Sequence, residues 1–199
     1  DFTDKTIIIT GGTRGIGAAM VSAFCDAGAN VVVTGTKKTR VESPGVSNSQ
    51  NNIKYYQLDY LSDESVNIFI QSVKKLHKVD VLINNAGVNK IDSITGISED
   101  DWDLINTVNL KGPFLLTRAV SEKMKKQKSG KIINIASIFG VVSKENRAAY
   151  STTKWGLIGF TKAVALDLAP FNVQVNAVSP GFVDTDLTRE ILGPGKIKQ

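Results

Sequence analysis

Short apolar runs alternate along the chain with longer segments in which apolar residues recur every three or four positions. The short runs are rich in Val and Ile and predict buried strands, whereas the longer segments predict amphipathic helices. Strands are predicted at residues 6–10, 30–34, 53–58, 79–83, 131–136 and 173–178. Because strands and helices alternate throughout, the pattern predicts an α/β protein with a doubly wound parallel sheet and helices on both faces, in three layers.

The helical periodicity places helices between most of these strands, at residues 16–28, 62–78, 98–127 and 148–169. Ser98 begins a capping-box pattern, and Gly112-Pro113 should bend or divide the helix that follows it. Residues 43–52 are rich in Ser, Asn, Gly and Pro, so the connection between the second and third strands is predicted to be a loop without a helix.

Composition narrows the possible partners. The 199 residues suffice for one domain with a sizeable core, and the net charge of +5 is not accompanied by a basic stripe with interleaved aromatics. No apolar run reaches membrane-spanning length, and Cys25 is the only cysteine. We therefore expect a cytoplasmic protein that binds neither nucleic acid nor a membrane. The chain begins at Asp1 without an initiator Met, so the removal of a leader stays open.

The first predicted strand runs directly into a glycine-rich stretch, TGGTRGIG at residues 10–17, and a helix follows. This order places backbone N–H groups and a helix N-terminus against a phosphate. Gly11 permits the tight turn, Gly15 lets the backbone approach a pyrophosphate, and Gly17 lets the helix pack closely on the strand. Plain loops also gather glycines, so the position between strand and helix is what favours nucleotide binding.

The end of the second strand indicates which dinucleotide is bound. NAD-binding units usually carry a carboxylate there for the ribose 2′-OH, but Thr34 is followed by Gly35, Thr36 and Lys37. Hydroxyls and cations suit a 2′-phosphate instead, so the sequence predicts NADP(H) rather than NAD(H). Arg14, inside the glycine turn, either helps to hold that phosphate or is a solvated loop arginine.

Several small and polar motifs follow strands, where ligands of parallel sheets bind. They are the glycine turn, NNAG at residues 84–87, Ser137, and Pro180-Gly181. From the residues alone, 84–87 reads best as a turn, and nucleotide contact is the alternative. Their common position at one sheet edge is a stronger argument than any single motif.

Tyr150 and Lys154 stand four residues apart at the start of the last helix and therefore share a face. A neighbouring cation lowers the pKa of a phenol from its usual value of about 10, which suits proton donation to a carbonyl or proton removal from an alcohol. A chance pairing on a solvated face is the alternative. His77 is the only histidine, so neither a Ser-His-Asp triad nor a histidine-rich metal site is expected.

Together these motifs resemble the short-chain dehydrogenase/reductase family over nearly the whole chain. The matching segments are Thr10-Gly-x-x-x-Gly15-x-Gly17, Asn84-Asn85-Ala86-Gly87, Ser137 with Tyr150-x-x-x-Lys154, and Asn176-Ala-Val-Ser-Pro180-Gly181 with Thr185. The resemblance implies a Rossmann-type fold. Within the family, the chain looks most like 3-oxoacyl-thioester reductases.

The resemblance also implies a mechanism, in which NADPH delivers a hydride to a carbonyl carbon. Tyr150 then protonates the developing alkoxide, and Lys154 lowers the pKa of the phenol and holds the nicotinamide ribose. Ser137 donates a hydrogen bond to the carbonyl oxygen. Asn109 occupies the position of the fourth catalytic residue of the family and is expected to hold a water that links Lys154 to solvent.

Cofactor contacts are implied in the same way, with Asp59 at the adenine amino group and Thr185 at the nicotinamide carboxamide. The expected cofactor-binding residues are Gly11, Thr13, Arg14, Gly15, Ile16, Gly17, Thr36, Lys37, Asp59, Asn85, Ala86, Gly87, Tyr150, Lys154, Pro180, Gly181, Val183 and Thr185. No metal is expected.

The chain is expected to form one dinucleotide-binding oxidoreductase domain, residues 1–199. Family members commonly continue with a further helix and a seventh strand, whereas here a short helix at 187–192 and a loop at 193–196 are expected before Gln199. The two long helices, 98–127 and 148–169, are expected to form a homodimer or homotetramer. The expected substrate is a small carbonyl compound or alcohol. A catalytically silent nucleotide sensor or scaffold on the same fold is the alternative function.

Overall fold

The computed structural model describes residues 1–38, 52–185 and 189. Within that part of the chain, six strands form one sheet: β1 (Thr6–Ile9), β2 (Asn30–Gly35), β3 (Ile53–Gln57), β4 (Val81–Asn84), β5 (Gly130–Ile135) and β6 (Val173–Val178). Their order is β3-β2-β1-β4-β5-β6, and every neighbouring pair is parallel. The predicted doubly wound sheet is confirmed, with strand bounds that differ by at most two residues.

In the same described ranges, five α-helices connect the strands: α1 (Gly15–Asp26), α2 (Asp63–Lys75), α3 (Glu99–Asn106), α4 (Gly112–Gln127) and α5 (Ala148–Leu168). The predicted cap at Ser98 is present, because its side chain accepts a hydrogen bond from the N–H of Asp101 at 3.1 Å. The predicted loops and helix at residues 43–51 and 187–196 lie outside the described residues, apart from the single residue Arg189.

The predicted division of the long helix lies one turn earlier than Gly112-Pro113. Thr107–Lys111 form a π-helical turn between α3 and α4. Pro113 stands in the first turn of α4, where its missing N–H would have no helical partner in any case. The proline therefore fits the start of a helix, and the interruption itself contains Asn109.

Apolar residues cover both faces of the sheet, as the continuous apolar strand runs require. Ile7 and Ile9 of β1 belong to one buried cluster with Val21 of α1. Ile8 points the opposite way, into a cluster with Phe69 of α2 and Leu116, Val120 and Met124 of α4. The two clusters give the three layers that the alternating pattern predicts.

A buried polar chain crosses the second half of the sheet. Asn84 and Asn134 are register partners on β4 and β5, and the Asn84 amide donates to the Asn134 Oδ1 at 2.8 Å. Thr117 of α4 accepts from Asn84 at 3.2 Å, and Thr161 of α5 accepts from Asn134 at 2.9 Å. These bonds fix two helices relative to the strand ends from which the functional side chains project.

None of the helices in the described ranges is sufficiently long and apolar to cross a membrane.

Candidate functional site

A cavity of about 390 Å³ lies at the carboxyl edge of the sheet, where the sequence places the site. It is lined by the expected residues Gly11, Thr13, Arg14, Gly15, Ile16, Gly17, Thr36, Asp59, Asn85, Ala86, Gly87, Ser137, Tyr150, Lys154, Pro180, Gly181, Val183 and Thr185. Lys37 and Asn109 do not line it. Sequence reasoning missed the apolar part of the wall, which includes Leu58, Tyr60, Val88, Leu104 and Val108, because apolar strand-end and helix residues look like ordinary core positions.

The glycine turn adopts backbone conformations that glycine alone tolerates well. Gly11 and Gly15 have φ values of +61° and +54°. A Cβ atom on Gly11 would lie 2.9 Å from the Cα of Ala86. On Gly17 it would meet the carbonyl oxygen of Gly11 and lie 2.6 Å from Nδ2 of Asn85. The absence of a side chain on Gly17 therefore makes room for the glycine turn and for the Asn85 amide. The sequence instead predicted that Gly17 lets the helix pack closely on the strand.

Thr10 joins the glycine turn to the turn after β4. Its buried hydroxyl oxygen accepts from the backbone N–H groups of Asn85 and Ala86, each at 3.0 Å. The Asn85 amide donates in return to the carbonyl oxygens of Thr10 and Gly11, at 2.9 and 3.1 Å. Both amide hydrogens are thereby used within the protein, so the Asn85 side chain holds the shape of the glycine turn.

The stretch after β2 is held by side chains of β3. The Tyr55 hydroxyl donates to the carbonyl of Lys37 at 2.6 Å, and the Gln57 amide donates to the carbonyl of Thr36 at 3.0 Å. These bonds fix the backbone and leave the Lys37 side chain exposed. The carboxylate of Asp59, at the end of β3, accepts from the N–H of Leu61 at 3.0 Å.

Asn109 is fully buried in the π-helical turn. Its Oδ1 accepts from the N–H of Val88, and its Nδ2 donates to the Val88 carbonyl, both at 2.8 Å. Nδ2 also lies 3.3 Å from the hydroxyl oxygen of Thr153 in α5. Asn109 thus joins three segments around the cavity instead of pairing with the backbone groups that the helix break frees. π-Helical turns of this kind occur frequently at functional sites.

Tyr150 and Lys154 point to the same place, as their spacing predicts. The Lys154 Nζ lies 5.5 Å from the centroid of the Tyr150 ring and donates to the carbonyl oxygen of Ile135, at the end of β5, at 2.8 Å. The lysine is only 4% exposed, and this burial lowers the pKa of Lys154 to about 8.

Burial also raises the pKa of the Tyr150 phenol. A hydrogen bond from Ser137 and the positive charge of Arg147 act in the opposite direction. The net shift of the Tyr150 pKa is upward, because the desolvation of the phenol outweighs these two favourable contacts. Ser137 is oriented for its hydrogen bond because its oxygen accepts from the N–H of Phe139 at 3.2 Å.

Within residues 1–38, 52–185 and 189, no group of three or more His, Cys, Asp or Glu side chains is placed to hold an ion.

Comparison with known proteins identifies the family. The family model described as short chain dehydrogenase matches residues 5–193. The 3-oxoacyl-[acyl-carrier-protein] reductase of Aquifex aeolicus is 41% identical over 92% of this chain and 76% of its own length. The corresponding reductase of Synechocystis sp. is 39% identical over 95% of this chain and 78% of its own length.

Solved structures of similar proteins point to the same family. ElxO with NADP bound superposes with a TM-score of 0.87 at 32% identity, covering 94% of this chain and 77% of that chain. A tyrosine-to-phenylalanine variant of ElxO with NADPH bound gives the same values. A short-chain dehydrogenase from Streptomyces avermitilis has a TM-score of 0.86 at 29% identity, covering 94% and 69% of the two chains. The motifs, the fold and these relatives together show that the chain belongs to the short-chain dehydrogenase family.

Proposed function

We propose that this chain is an NADP(H)-dependent oxidoreductase that transfers a hydride between nicotinamide and a carbonyl compound or secondary alcohol. The observation that carries the proposal is the convergence of Ser137, Tyr150 and Lys154 on one cavity with the glycine turn. A silent sensor would have little need for the buried, costly Lys154 beside a phenol. The family, the NADP-bound neighbours and the reductase relatives all support the enzyme.

The cavity fits the dinucleotide. Gly15 and Thr185 face each other closely, since a Cβ atom on Gly15 would lie 3.4 Å from the Thr185 side chain, and backbone N–H groups at the start of α1 suit a pyrophosphate. Asp59 would bond the adenine amino group, and Thr185 the nicotinamide carboxamide. Arg14 and Lys37 would hold the 2′-phosphate. NADP-bound neighbours support this preference over NAD(H).

When bound, the nicotinamide supplies or accepts the hydride. Tyr150 donates its proton to the carbonyl oxygen as negative charge develops there, and in alcohol oxidation it takes that proton back. The Ser137 hydroxyl turns from the phenol to the substrate oxygen and stabilises the same charge. Lys154 holds the nicotinamide ribose and places a cation beside the phenol.

The structure also leaves room for the proton relay proposed for Asn109. A methyl group placed on Gly87 would lie 3.3 Å from the Asn109 Oδ1 and 3.8 Å from the Lys154 Nζ. That space is bounded by two polar atoms and suits a water molecule. Oδ1 accepts one hydrogen bond from Val88 and retains capacity for a second. A water there would connect the lysine to solvent.

The substrate class that we propose is a 3-oxoacyl thioester. The reductase relatives favour it, and the cavity wall offers the apolar side chains Val88, Leu104 and Val108 for an acyl chain. Other ketones, including sugars, steroids and the oxidised forms of polyols, are the alternatives. Comparative turnover of NADPH with thioesters and these ketones distinguishes them, and a preference for a polyol or sugar would oppose the assignment.

We propose a cytoplasmic location, because a reducing compartment suits a chain whose single cysteine, Cys25, is buried. Recovery of the activity in a secreted or membrane fraction would oppose this placement.

Tyr150→Phe tests the role of Tyr150 as the proton donor. The variant keeps the ring and loses the proton donor, so turnover should fall by roughly 10²–10⁴-fold, while NADPH affinity stays largely unchanged. Turnover is followed by NADPH absorbance and affinity by fluorescence titration. Near-normal turnover in a folded variant would refute the assignment of Tyr150 as proton donor.

Lys37→Ala tests the 2′-phosphate contact. The loss of a charge-assisted hydrogen bond should weaken NADPH binding roughly tenfold or more and leave NADH binding unchanged. The neighbouring exposed Lys38→Ala serves as the matched control. An equal loss for both cofactors would show that Lys37 does not read the phosphate.

Lys154→Met tests how much the buried ammonium of Lys154 lowers the free energy of unfolding. The folded pKa of about 8 lies below the usual 10.5, so the unfolded chain keeps the proton between these values and wild-type stability rises with pH across this window. Below pH 8 the full cost is present, and the variant should be more stable there by roughly 1–3 kcal/mol although inactive. Its advantage should shrink from pH 8 to 10.

Urea unfolding across this pH range measures the effect of Lys154→Met, with exposed Lys75→Met as control. A variant that is less stable at neutral pH, with no trend toward alkaline pH, would contradict the account.

We further propose a homodimer or homotetramer through α3–α4 and α5. Phe114 on α4 and Trp155 on α5 are 42% and 53% exposed, and a Cβ atom on Gly159 would meet nothing within 4 Å. Large exposed aromatics beside an open glycine suit close helix packing between subunits.

Sedimentation tests this interface. The wild-type chain should sediment as a dimer or larger at micromolar concentration. Gly159→Arg should shift it toward monomer, whereas Gln71→Arg on the exposed face of α2 should not. A wild-type chain that sediments as a monomer at micromolar concentration would contradict the proposed interface.

A further inference from the structure

We propose that Arg147 is a positioning residue that supplies a permanent positive charge beside the Tyr150 phenol and thereby favours the phenolate. This inference rests on the proposed function for its kinetic consequence. Its structural basis, a buried cation beside the reactive phenol, is independent of any substrate.

Arg147 is the residue immediately before α5, one turn ahead of Tyr150, and it is only 7% exposed. Its guanidinium carbon lies 5.5 Å from the centroid of the Phe139 ring. The Phe139 and Tyr150 rings meet edge to face, with centroids 6.4 Å apart. The guanidinium and the phenol therefore contact the same aromatic ring, that of Phe139.

The position is unfavourable for an arginine in its hydrogen bonding and in its place at a helix N-terminus. Nε and Nη1 are buried and have no hydrogen-bond partner in the described part of the chain. A helix N-terminus is the positive end of the helix dipole, so a cation there is destabilising. Burial of an unpaired charge adds a further cost of several kcal/mol, of the order seen for buried ions. Such violations of local rules are typical of functional positions.

The nearest acidic side chain does not neutralise this cation. Glu145 lies two residues away and raises the pKa of Arg147, against the lowering that burial causes. However, the Glu145 side chain is 75% exposed and forms its ion pair with Lys144 at 3.7 Å. The positive charge of Arg147 therefore acts on Glu145 and also on the Tyr150 phenol, whose pKa it lowers.

The two cations near Tyr150 differ in how they respond to pH. Lys154 has a pKa of about 8 and loses its charge in mildly alkaline solution. A guanidinium remains charged throughout the range in which enzymes work. Ser137 contributes a hydrogen bond but no charge. Arg147 is therefore the cation whose charge persists at alkaline pH, where the tyrosine loses the proton that alcohol oxidation requires it to lose.

Direct binding of a substrate anion is the competing role for Arg147. The burial of Nε and Nη1 opposes it, because neither atom reaches solvent in the described structure.

Arg147→Gln tests the proposal through the pH profile of alcohol oxidation with NADP⁺. The rising limb of kcat/KM should move to higher pH, and kcat/KM on that limb should fall roughly tenfold, the effect of one nearby charge on a phenol. Arg147→Lys keeps the charge and should retain most of the wild-type profile. Lys75→Gln removes the same charge from an exposed helix end and should leave the profile unchanged.

A second readout needs no turnover. Ultraviolet titration of phenolate, as the difference between each protein and its Tyr150→Phe counterpart, isolates Tyr150 from the other tyrosines. Arg147→Gln should move this titration to higher pH. If the glutamine variant folds poorly, Arg147→Met gives the same comparison with an apolar side chain suited to the buried position.

An unchanged phenolate titration in folded Arg147→Gln would overturn the proposal, as would a change confined to the KM of anionic substrates. If no alcohol or ketone is turned over, the proposed function fails, while the optical titration still decides the role of Arg147.

Discussion

A buried hydrogen bond links the reactive lysine of α5 to the end of β5. The ammonium of Lys154 donates to the carbonyl oxygen of Ile135 at 2.8 Å, and this contact places α5 over the carboxyl end of β5. Ser137 follows Ile135 by two residues, and Tyr150 precedes Lys154 by one helical turn, so the same contact brings phenol and hydroxyl together. The arrangement buries a cation at a cost to stability, which is the common condition of a reactive site.

The parallel arrangement of the strands determines which loops surround the cavity. Because all six strands end at one edge, loops distant in sequence meet there, and hydrogen bonds between them set the shape of the cavity. Thr10 and Asn85 join the turns after β1 and β4. Asn109 joins the loop after β4 to α5. A rigid edge of this kind holds cofactor and substrate groups in fixed positions, which is where much of enzymatic rate enhancement arises.

Local patterns predicted the six strands, the parallel sheet and the family, and all three are confirmed. They could not predict the π-helical turn, because Gly112-Pro113 is the stronger local signal although the break lies at Thr107–Lys111. The bond between Asn84 and Asn134, and the burial of Arg147, also depend on contacts between distant segments. Periodicity reports which face of an element is apolar, whereas the partner of a polar side chain is set by tertiary structure.

The most direct measurement follows the hydride. NADPH labelled with deuterium at the transferable position of the nicotinamide is incubated with the enzyme and a 3-oxoacyl thioester or another ketone of the panel, and the product alcohol is examined by mass spectrometry. The account predicts one deuterium on the carbinol carbon for each NADPH consumed. Tight NADPH binding without any labelled alcohol, across the whole panel of ketones, would contradict it and leave a nucleotide-binding protein without this chemistry.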